Sequence, residues 1–242
     1  MTSVEIQASA NQLGWPGEHF SFLAESCRPS VDIHPTSAKP RPAESRFGGT
    51  PYVAPGFTWP THANGRYRFL GQVNFEQLRP ASRLLPSSGL LSLFYADDDN
   101  GEISWQDADY VVGYYWQDLS HHSLVPAPGM IPVNPETAFE LVPSLNVPRH
   151  RELRNDWPFE EAADMAWDLS LEVNAEHYLL GYPSYCTLAY DPTPGPEWIH
   201  LLNLSSSSEL NWCWHDGDRL MIFIQANRLK SLDFSILKCD AG

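Results

Sequence analysis

Apolar residues fall in short runs along most of this chain. The clearest runs cover residues 69–75, 90–95, 110–116 and 220–224, and each follows Gly, Asn or Asp within a few residues. Runs of this length, rich in aromatic and branched side chains, are typical of buried strands. A further short strand is expected over 137–142. The pattern predicts a mainly β protein with a few helices (β-rich α+β), built from antiparallel sheets.

The acidic segment after residues 90–95 is expected to turn a β-hairpin. Asn100-Gly101 stands between the apolar run and residues 102–105, and Asn-Gly is a strong hairpin signal. The spacing disfavours an EF-hand calcium loop, because Ile103 occupies the position that requires glycine when counting starts at Asp98. The sequence therefore predicts an acidic hairpin tip.

One helix is expected over residues 156–176, with Asp156 as its N-cap and Pro158 in its first turn. At 100° per residue, one face is apolar: Phe159, Ala162, Ala163, Ala166, Leu169 and Val173. The opposite face is acidic: Glu160, Glu161, Asp164, Asp168 and Glu172, with Glu176 at its margin. The helix contains no Lys or Arg to pair with these carboxylates.

Trp167 and Leu171 project beside this acidic face, and two interpretations of Trp167 are open. An exposed Trp among carboxylates is typical of a binding hot spot for a basic partner. Alternatively, the acidic face is merely solvated and a neighbouring loop covers Trp167.

The chain is expected to form a single domain over residues 1–242 from two related β units. Each unit contains the same features at similar intervals: a Gly-x-Pro loop, a bend with a Trp, and then an apolar strand. The loops begin at Gly49 and Gly181, and the bends contain Trp59 and Trp198. The expected segments are a weakly structured lead-in (1–45, with a short helix near Phe20 and an extended connector over 30–42), a first β unit (46–119), a Pro-rich connector (120–155), the helix (156–176) and a second β unit (177–242).

Charge is distributed unevenly along the chain. The formal net charge is −15. Residues 1–92 hold eight Lys/Arg and six Asp/Glu, which gives a net charge of +2. Residues 93–242 hold seven Lys/Arg and 24 Asp/Glu, which gives a net charge of −17. Such a surface disfavours nucleic acid and anionic lipid and favours a cationic partner. Solubility alone is the simpler explanation of an acidic composition.

Targeting and metal signals are sparse. No apolar run approaches the ~18 residues of a membrane span, and the N-terminus has no apolar signal segment, so cytoplasmic residence is expected. Buried free thiols are expected at the four cysteines, Cys27, Cys186, Cys213 and Cys239. Cys213-Trp214-His215-Asp216-x-Asp218 is interpreted as a turn rather than a zinc site, and no metal or cofactor is expected.

Several motifs carry a family resemblance. They are Arg46-Phe47-Gly48-Gly49-x-Pro51, Trp59-Pro60, Phe69-Leu70-Gly71-Gln72-Val73-Asn74-Phe75, Leu85-Pro86, Gly89-Leu90-Leu91-Ser92-Leu93-Phe94-Tyr95, His177-Tyr178-Leu179-Leu180-Gly181-Tyr182-Pro183 and Gly217-Asp218. Together, over about residues 46–234, this chain resembles the YwqG-like family of bacterial, mostly antiparallel β proteins. The resemblance implies no reaction and no catalytic residues. It does imply a possible role, because some members resemble immunity proteins encoded beside antibacterial toxins.

The leading hypothesis is a non-enzymatic immunity protein that binds and occludes a basic, nuclease-type toxin encoded by an adjacent gene, without binding nucleic acid or membrane itself. The candidate contacts are Asp97, Asp98, Asp99, Glu102, Asp107 and Asp109 on the hairpin, and Glu161, Asp164, Trp167, Asp168, Leu171 and Glu172 on the helix. The alternative is a small-ligand-binding or hydrolytic protein with an aromatic pocket near Trp59, Trp198 and His200.

Overall fold

A computed structural model describes residues 1–80 and 82–242. The helices are α1 (Ser3–Gln12), α2 (Phe20–Ser26), α3 (Ala162–Val173) and α4 (Ala226–Lys230). The strands are β1 (Arg28–Pro35), β2 (Arg46–Phe47), β3 (Tyr52–Val53), β4 (Arg66–Asn74), β5 (Leu90–Asp97), β6 (Val111–Trp116), β7 (Ser123–Leu124), β8 (Thr137–Asn146), β9 (Tyr178–Leu180), β10 (Trp198–Ser205), β11 (Arg219–Gln225) and β12 (Lys238–Ala241). Short 3-10 turns cover Gly17–His19, Phe75–Gln77 and Arg151–Leu153.

Ten of these strands form one antiparallel sheet in the order β12-β11-β10-β9-β1-β8-β2-β4-β5-β6, and β3 pairs with β7 separately. The two edge strands approach each other. The side-chain amide of Gln106, in the loop before β6, lies 3.2 Å from both carboxylate oxygens of Asp240 in β12. The sheet therefore curls almost to closure around the main core, which confirms the predicted β-rich antiparallel class.

The order of the strands in the sheet is symmetric about its centre. Strands β1 and β8 lie side by side at its centre, with β9 to β12 on one side and β2, β4, β5 and β6 on the other. β9, from the C-terminal half of the sequence, pairs with β1, from the N-terminal half. Conversely, β2, from the N-terminal half, pairs with β8, from the C-terminal half. Strand irregularities also correspond, at Leu70 in β4 and Leu201 in β10.

The Gly-rich motif after β2 is held by buried polar side chains. Arg46, only 1% exposed, donates to the carbonyl oxygens of Pro42 (2.7 Å) and Thr50. The Gln72 amide donates to Pro42 and accepts from the backbone N–H of Tyr52 at 3.1 Å. These bonds satisfy loop carbonyls that would otherwise be buried without partners. The loop is therefore ordered, as its Pro and aromatic content predicts.

The helices α1, α2 and α3 form a second, smaller core on the outside of the sheet. Ile6 and Ala10 of α1 pack against Ala166 and Leu169 of α3, with Val147 beneath them. A capping box begins α1: the Glu5 N–H donates to the Thr2 hydroxyl, and the Thr2 N–H donates to the Glu5 carboxylate. None of the helices in the described residues is long and apolar enough to cross a membrane.

The prediction of a weakly structured lead-in over residues 1–45 is wrong. The short helix predicted near Phe20 is present as α2, but α1 was not predicted, and β1 occupies the centre of the sheet with its middle four residues buried. The proposed extended connector over 30–42 is likewise part strand. The Pro-rich segment 120–155 is more than a connector, because it contains the ten-residue strand β8.

The predicted Asn-Gly hairpin is also wrong. β5 pairs with β6, and residues 98–110 form a long loop between them. The carboxylate of Asp98 accepts the backbone N–H groups of Gly101, Glu102 and Ile103 at 2.6–2.9 Å. These amides are therefore not available to build a strand over 102–105.

The helix predicted over 156–176 is shorter, at Ala162–Val173. Asp156 does not cap it, because its carboxylate pairs with the guanidinium of Arg154 at 2.6 Å. The buried face nevertheless includes the predicted Ala162, Ala166, Leu169 and Val173.

Candidate functional site

The acidic loop after β5 is largely paired within the protein. The Arg66 guanidinium contacts Asp97 at 3.1 Å and forms two hydrogen bonds with Asp99, at 2.7 and 3.1 Å. Hydrogen bonding to Arg66 lowers the pKa of Asp99. Arg66 belongs to β4, which pairs with β5, so the strand register itself brings this cation to the carboxylates. Asp97, Asp98 and Asp99 thus have internal partners before any binding partner arrives.

The rest of the loop set is more accessible. Asp107 accepts the backbone N–H of Ser104 at 2.9 Å, and Asp109 lies 3.5 Å from the His62 ring. Glu102 is exposed. The loop therefore offers fewer free carboxylates than its sequence suggests.

The outer face of α3 differs from the loop. Four exposed carboxylates lie there, on the N-cap Glu161 and on Asp164, Asp168 and Glu172. In the described part of the chain, none of them lies within 4.0 Å of a Lys, Arg or His nitrogen. Asp164, Asp168 and Glu172 follow one another at intervals of four residues, which costs a helix about 0.2–0.5 kcal/mol for each like-charged pair. Leu171 is 57% exposed beside them. We call these four carboxylates and Leu171 the α3 acidic face.

Trp167 is not a free aromatic side chain on this face. The Arg149 guanidinium stacks on its ring at 3.8 Å, and the His150 ring meets it edge-on at 5.2 Å. Trp167 is half-buried as a result. The structure therefore supports the interpretation that a neighbouring segment covers Trp167, and it does not test whether the acidic face is merely solvated.

The predicted aromatic pocket is found in part. Trp198 and His200, at the start of β10, line a cleft of about 680 Å³. Trp59 lies elsewhere, because its indole N–H donates to the Tyr67 carbonyl at 3.0 Å and its ring packs against Phe94 in the main core. Trp59 therefore takes no part in the cleft.

The cleft lies where several distant segments meet. Its walls come from the start of β1, the turn after β9, the start of β10 and α4, together with residues 83 and 84. Apolar lining includes Leu180, Pro183 and Leu229, and the exposed Leu84 lies at the cleft as well. The cleft size falls within the range of small-molecule sites in proteins, about 300–1,000 Å³.

Three cationic side chains line this cleft: Arg28, Arg83 and Lys230. Among the described residues no Asp or Glu lines it, although acidic residues outnumber Lys and Arg two to one in the whole chain. Within residues 1–80 and 82–242, none of the three has a carboxylate within 4.0 Å. Sequence reasoning missed these cations because they lie 55 to 202 positions apart.

His200 is 5% exposed and lies on the cleft wall. Its Nδ1 is 2.8 Å from the Leu180 carbonyl oxygen, so Nδ1 carries the proton in the neutral ring. Nε2 is buried and has no hydrogen-bond partner in the described residues. Burial lowers the pKa of His200 to about 4, which keeps the ring neutral at pH 7.

Metal-ligating side chains do not gather in the part of the chain that the structure describes, where no three His, Cys, Asp or Glu residues could hold one ion. His215 instead contacts Asp218 at 3.4 Å, in the turn before β11. The expectation of buried thiols is correct only for Cys239, because Cys186 and Cys213 are exposed and Cys27 is half-buried.

Fold and site together define a β-rich protein whose curled ten-stranded sheet bears an acidic helix and a basic cleft. A family model matches residues 45–240, and the chain belongs to that family, a domain of unknown function called DUF1963. The match spans the whole stretch, about residues 46–234, on which the motifs of the resemblance lie. A search of curated proteins gives no match.

Proposed function

We propose that this protein acts by binding rather than catalysis, and that it neutralises a basic protein partner in the cytoplasm. The partner suggested by the YwqG-like resemblance is a nuclease-type antibacterial toxin. The α3 acidic face carries this proposal, because its carboxylates are exposed and free of internal cations. The loop after β5 has a smaller part, since Arg66 already pairs with Asp97 and Asp99.

Electrostatic attraction would guide the encounter. An exposed row of carboxylates attracts a cationic protein over distances of about 10 Å at 0.1 M salt. Leu171 would then bury its exposed side chain against the partner, and the bound protein would occlude the partner's substrate channel. Association is expected to be fast and to slow as ionic strength rises.

Charge reversal on α3 tests the proposal. The variant carries Asp164→Lys, Asp168→Lys and Glu172→Lys, and the binding partner is the purified basic protein encoded by the adjacent gene. We expect affinity to fall by roughly 100-fold or more, mostly through slower association. The measurement is surface plasmon resonance at two salt concentrations.

A matched control makes the same change in total charge elsewhere. Glu25, Glu140 and Glu209 are exposed and distributed over α2, β8 and a loop. Lysine at all three positions should change affinity less than about threefold. Equal losses in both variants would mean that only the net charge matters, and no binding at low salt by the unaltered protein would refute the proposal.

A further inference from the structure

We infer that the cleft between β1, β10 and α4 binds a small molecule with an anionic head and an apolar body. This inference goes beyond partner binding by α3 and does not depend on it. The cleft is lined by different residues from those of the α3 acidic face.

The charge of the lining identifies the head of the ligand. Arg28, Arg83 and Lys230 all line the cleft, and no carboxylate of the described residues lines it. A fourth cation is close by, because the Lys238 ammonium lies 5.0 Å from the centre of the Trp198 ring. Like charges gathered in one cleft repel one another, and an anion relieves that repulsion. Carboxylate and phosphate both fit guanidinium groups well.

Arg28 is already oriented for such a contact. Its guanidinium lies 3.9 Å over the ring of Tyr182. Tyr182 is itself fixed, since its hydroxyl donates to the Ser26 carbonyl at 2.8 Å and its backbone N–H donates to the Asn146 side chain at 2.9 Å. Stacking on a fixed ring reduces the entropy that Arg28 would lose on binding an anion.

The remaining lining identifies the body of the ligand. Leu180, Pro183, Ile199 and Leu229 present apolar surface, and the neutral ring of His200 joins them. The unpartnered Nε2 of His200 can accept a hydrogen bond only from a donor that reaches it. An inorganic anion would leave the apolar part of the cleft in contact with water, so an amphiphilic ligand fits better.

Binding of decanoate, decanol and inorganic phosphate tests the inference. Decanoate supplies both the head and the body, decanol supplies the body without charge, and phosphate supplies charge without a body. Dodecyl phosphate is a fourth probe, which distinguishes a phosphate head from a carboxylate head. Isothermal titration calorimetry should show that decanoate or dodecyl phosphate binds at least 10-fold more tightly than decanol or phosphate.

Two kinds of variant locate the binding site. Arg28→Gln and Lys230→Gln should each weaken binding of the anionic amphiphile by roughly 10-fold, the size expected for loss of one charged hydrogen bond. Lys39→Gln is the matched control, because Lys39 is a cation outside the cleft with no carboxylate within 4.0 Å among the described residues. Ala226→Trp on exposed α4 fills the cleft without removing a charge and should also weaken binding.

Each contrary result overturns the inference. Equal affinities for decanoate and decanol would show an apolar surface without charge selectivity. Equal affinities for phosphate and decanoate would show an anion site that does not use the apolar lining. Loss of affinity in Lys39→Gln equal to that in Arg28→Gln would place the ligand elsewhere, as would full affinity in Ala226→Trp. Failure of both anionic amphiphiles to bind also refutes it. None of these results bears on partner binding by α3.

Discussion

At the scale of single residues, the least expected feature is a group of cations without carboxylate partners beside an exposed thiol. Arg149 is 6% exposed, and burial followed by the nearby charge of Arg219 lowers its pKa. Its guanidinium donates to the Ser184 hydroxyl at 3.1 Å and reaches the Cys186 sulfur at 3.6 Å. Arg219 donates to the same sulfur at 2.9 Å. Two guanidiniums therefore face one cysteine.

This arrangement predicts charge-selective alkylation of Cys186. The quantity compared is the rate of reaction with anionic iodoacetate divided by the rate with neutral iodoacetamide. This ratio should be higher at Cys186 than at Cys213. Cys213 is the natural control, since it is also exposed but its sulfur hydrogen-bonds to the His215 carbonyl and, in the described residues, to no guanidinium. One cation at 4 Å in water is worth about 1 kcal/mol, or about fivefold in rate. Peptide mass spectrometry of each cysteine over time gives the two ratios.

Arg219→Gln should bring the ratio at Cys186 towards that at Cys213 and leave Cys213 unchanged. Arg219 is the better site for substitution, because Arg149 is buried against Trp167 and its loss would disturb the fold. Equal ratios at the two cysteines in the unaltered protein would contradict the prediction.

At the scale of secondary-structure elements, the local sequence pattern was sufficient to predict some of the strands and the buried face of one helix. Strand β5 is buried along nearly its whole length, so its continuous apolar run identifies it without knowledge of its neighbours. Strand β6 was predictable from its branched and aromatic residues, and the buried face of α3 from the helical spacing of its apolar residues. The cations of the basic cleft were not, because Arg28, Arg83 and Lys230 are brought together only by the fold.

Strand β1 was missed because prolines stand at its second and last positions, Pro29 and Pro35. Proline interrupts a strand only where its missing N–H would have paired. β9 pairs with β1 only over Ser30, Val31 and Asp32, so both prolines lie outside the part that has neighbours on each side. Position within the ladder, which a sequence does not show, makes these prolines acceptable.

The turn that follows β2 predicts a large effect of a small substitution. Gly48 has a φ of 57°, and a Cβ there would overlap the Pro135 carbonyl and lie 2.7 Å from the Asn134 carbonyl oxygen. Gly48→Ala should therefore destabilise the protein by about 3 kcal/mol or more, since the obstacles are backbone atoms. Urea denaturation at pH 7 measures the change in the free energy of unfolding.

Gly101 provides the control for this substitution. Its φ is 69°, but nothing lies within 4 Å of a Cβ built there. Gly101→Ala should cost only the backbone strain, about 1–2 kcal/mol. Equal losses in the two variants would show that steric overlap at Gly48 is relieved by movement of the 134–135 segment.

At the scale of the whole molecule, three buried histidines link stability to pH. Burial is the main cause of each shift: it lowers the pKa of His150 to about 3 and those of His177 and His200 to about 4. Nearby arginines, Arg149 and Arg219, lower the pKa of His150 further, and Arg219 also acts on His177. Hydrogen bonds support the neutral forms. His177 Nδ1 accepts the Ser205 N–H at 3.1 Å, and His150 Nε2 accepts the Tyr185 N–H at 3.2 Å.

The direction of the pH effect follows from these pKa values. Above pH about 6.5 the histidines are neutral in both the folded and the unfolded chain, so they make no pH-dependent contribution. Between pH about 6.5 and about 4 the unfolded chain binds protons that the folded protein excludes, and stability falls as pH falls. At pH 5 each histidine should cost about 2 kcal/mol, and the three together roughly 5–6 kcal/mol. Urea denaturation at pH 7 and pH 5 should show this loss.

His177→Gln, which can still accept the Ser205 N–H, should remove about a third of this loss of stability, whereas His34→Gln at an exposed position should remove none of it. An unchanged free energy of unfolding between pH 7 and pH 5 would mean that these rings are protonated in the folded protein, and that water or an anion reaches side chains that the structure shows as buried.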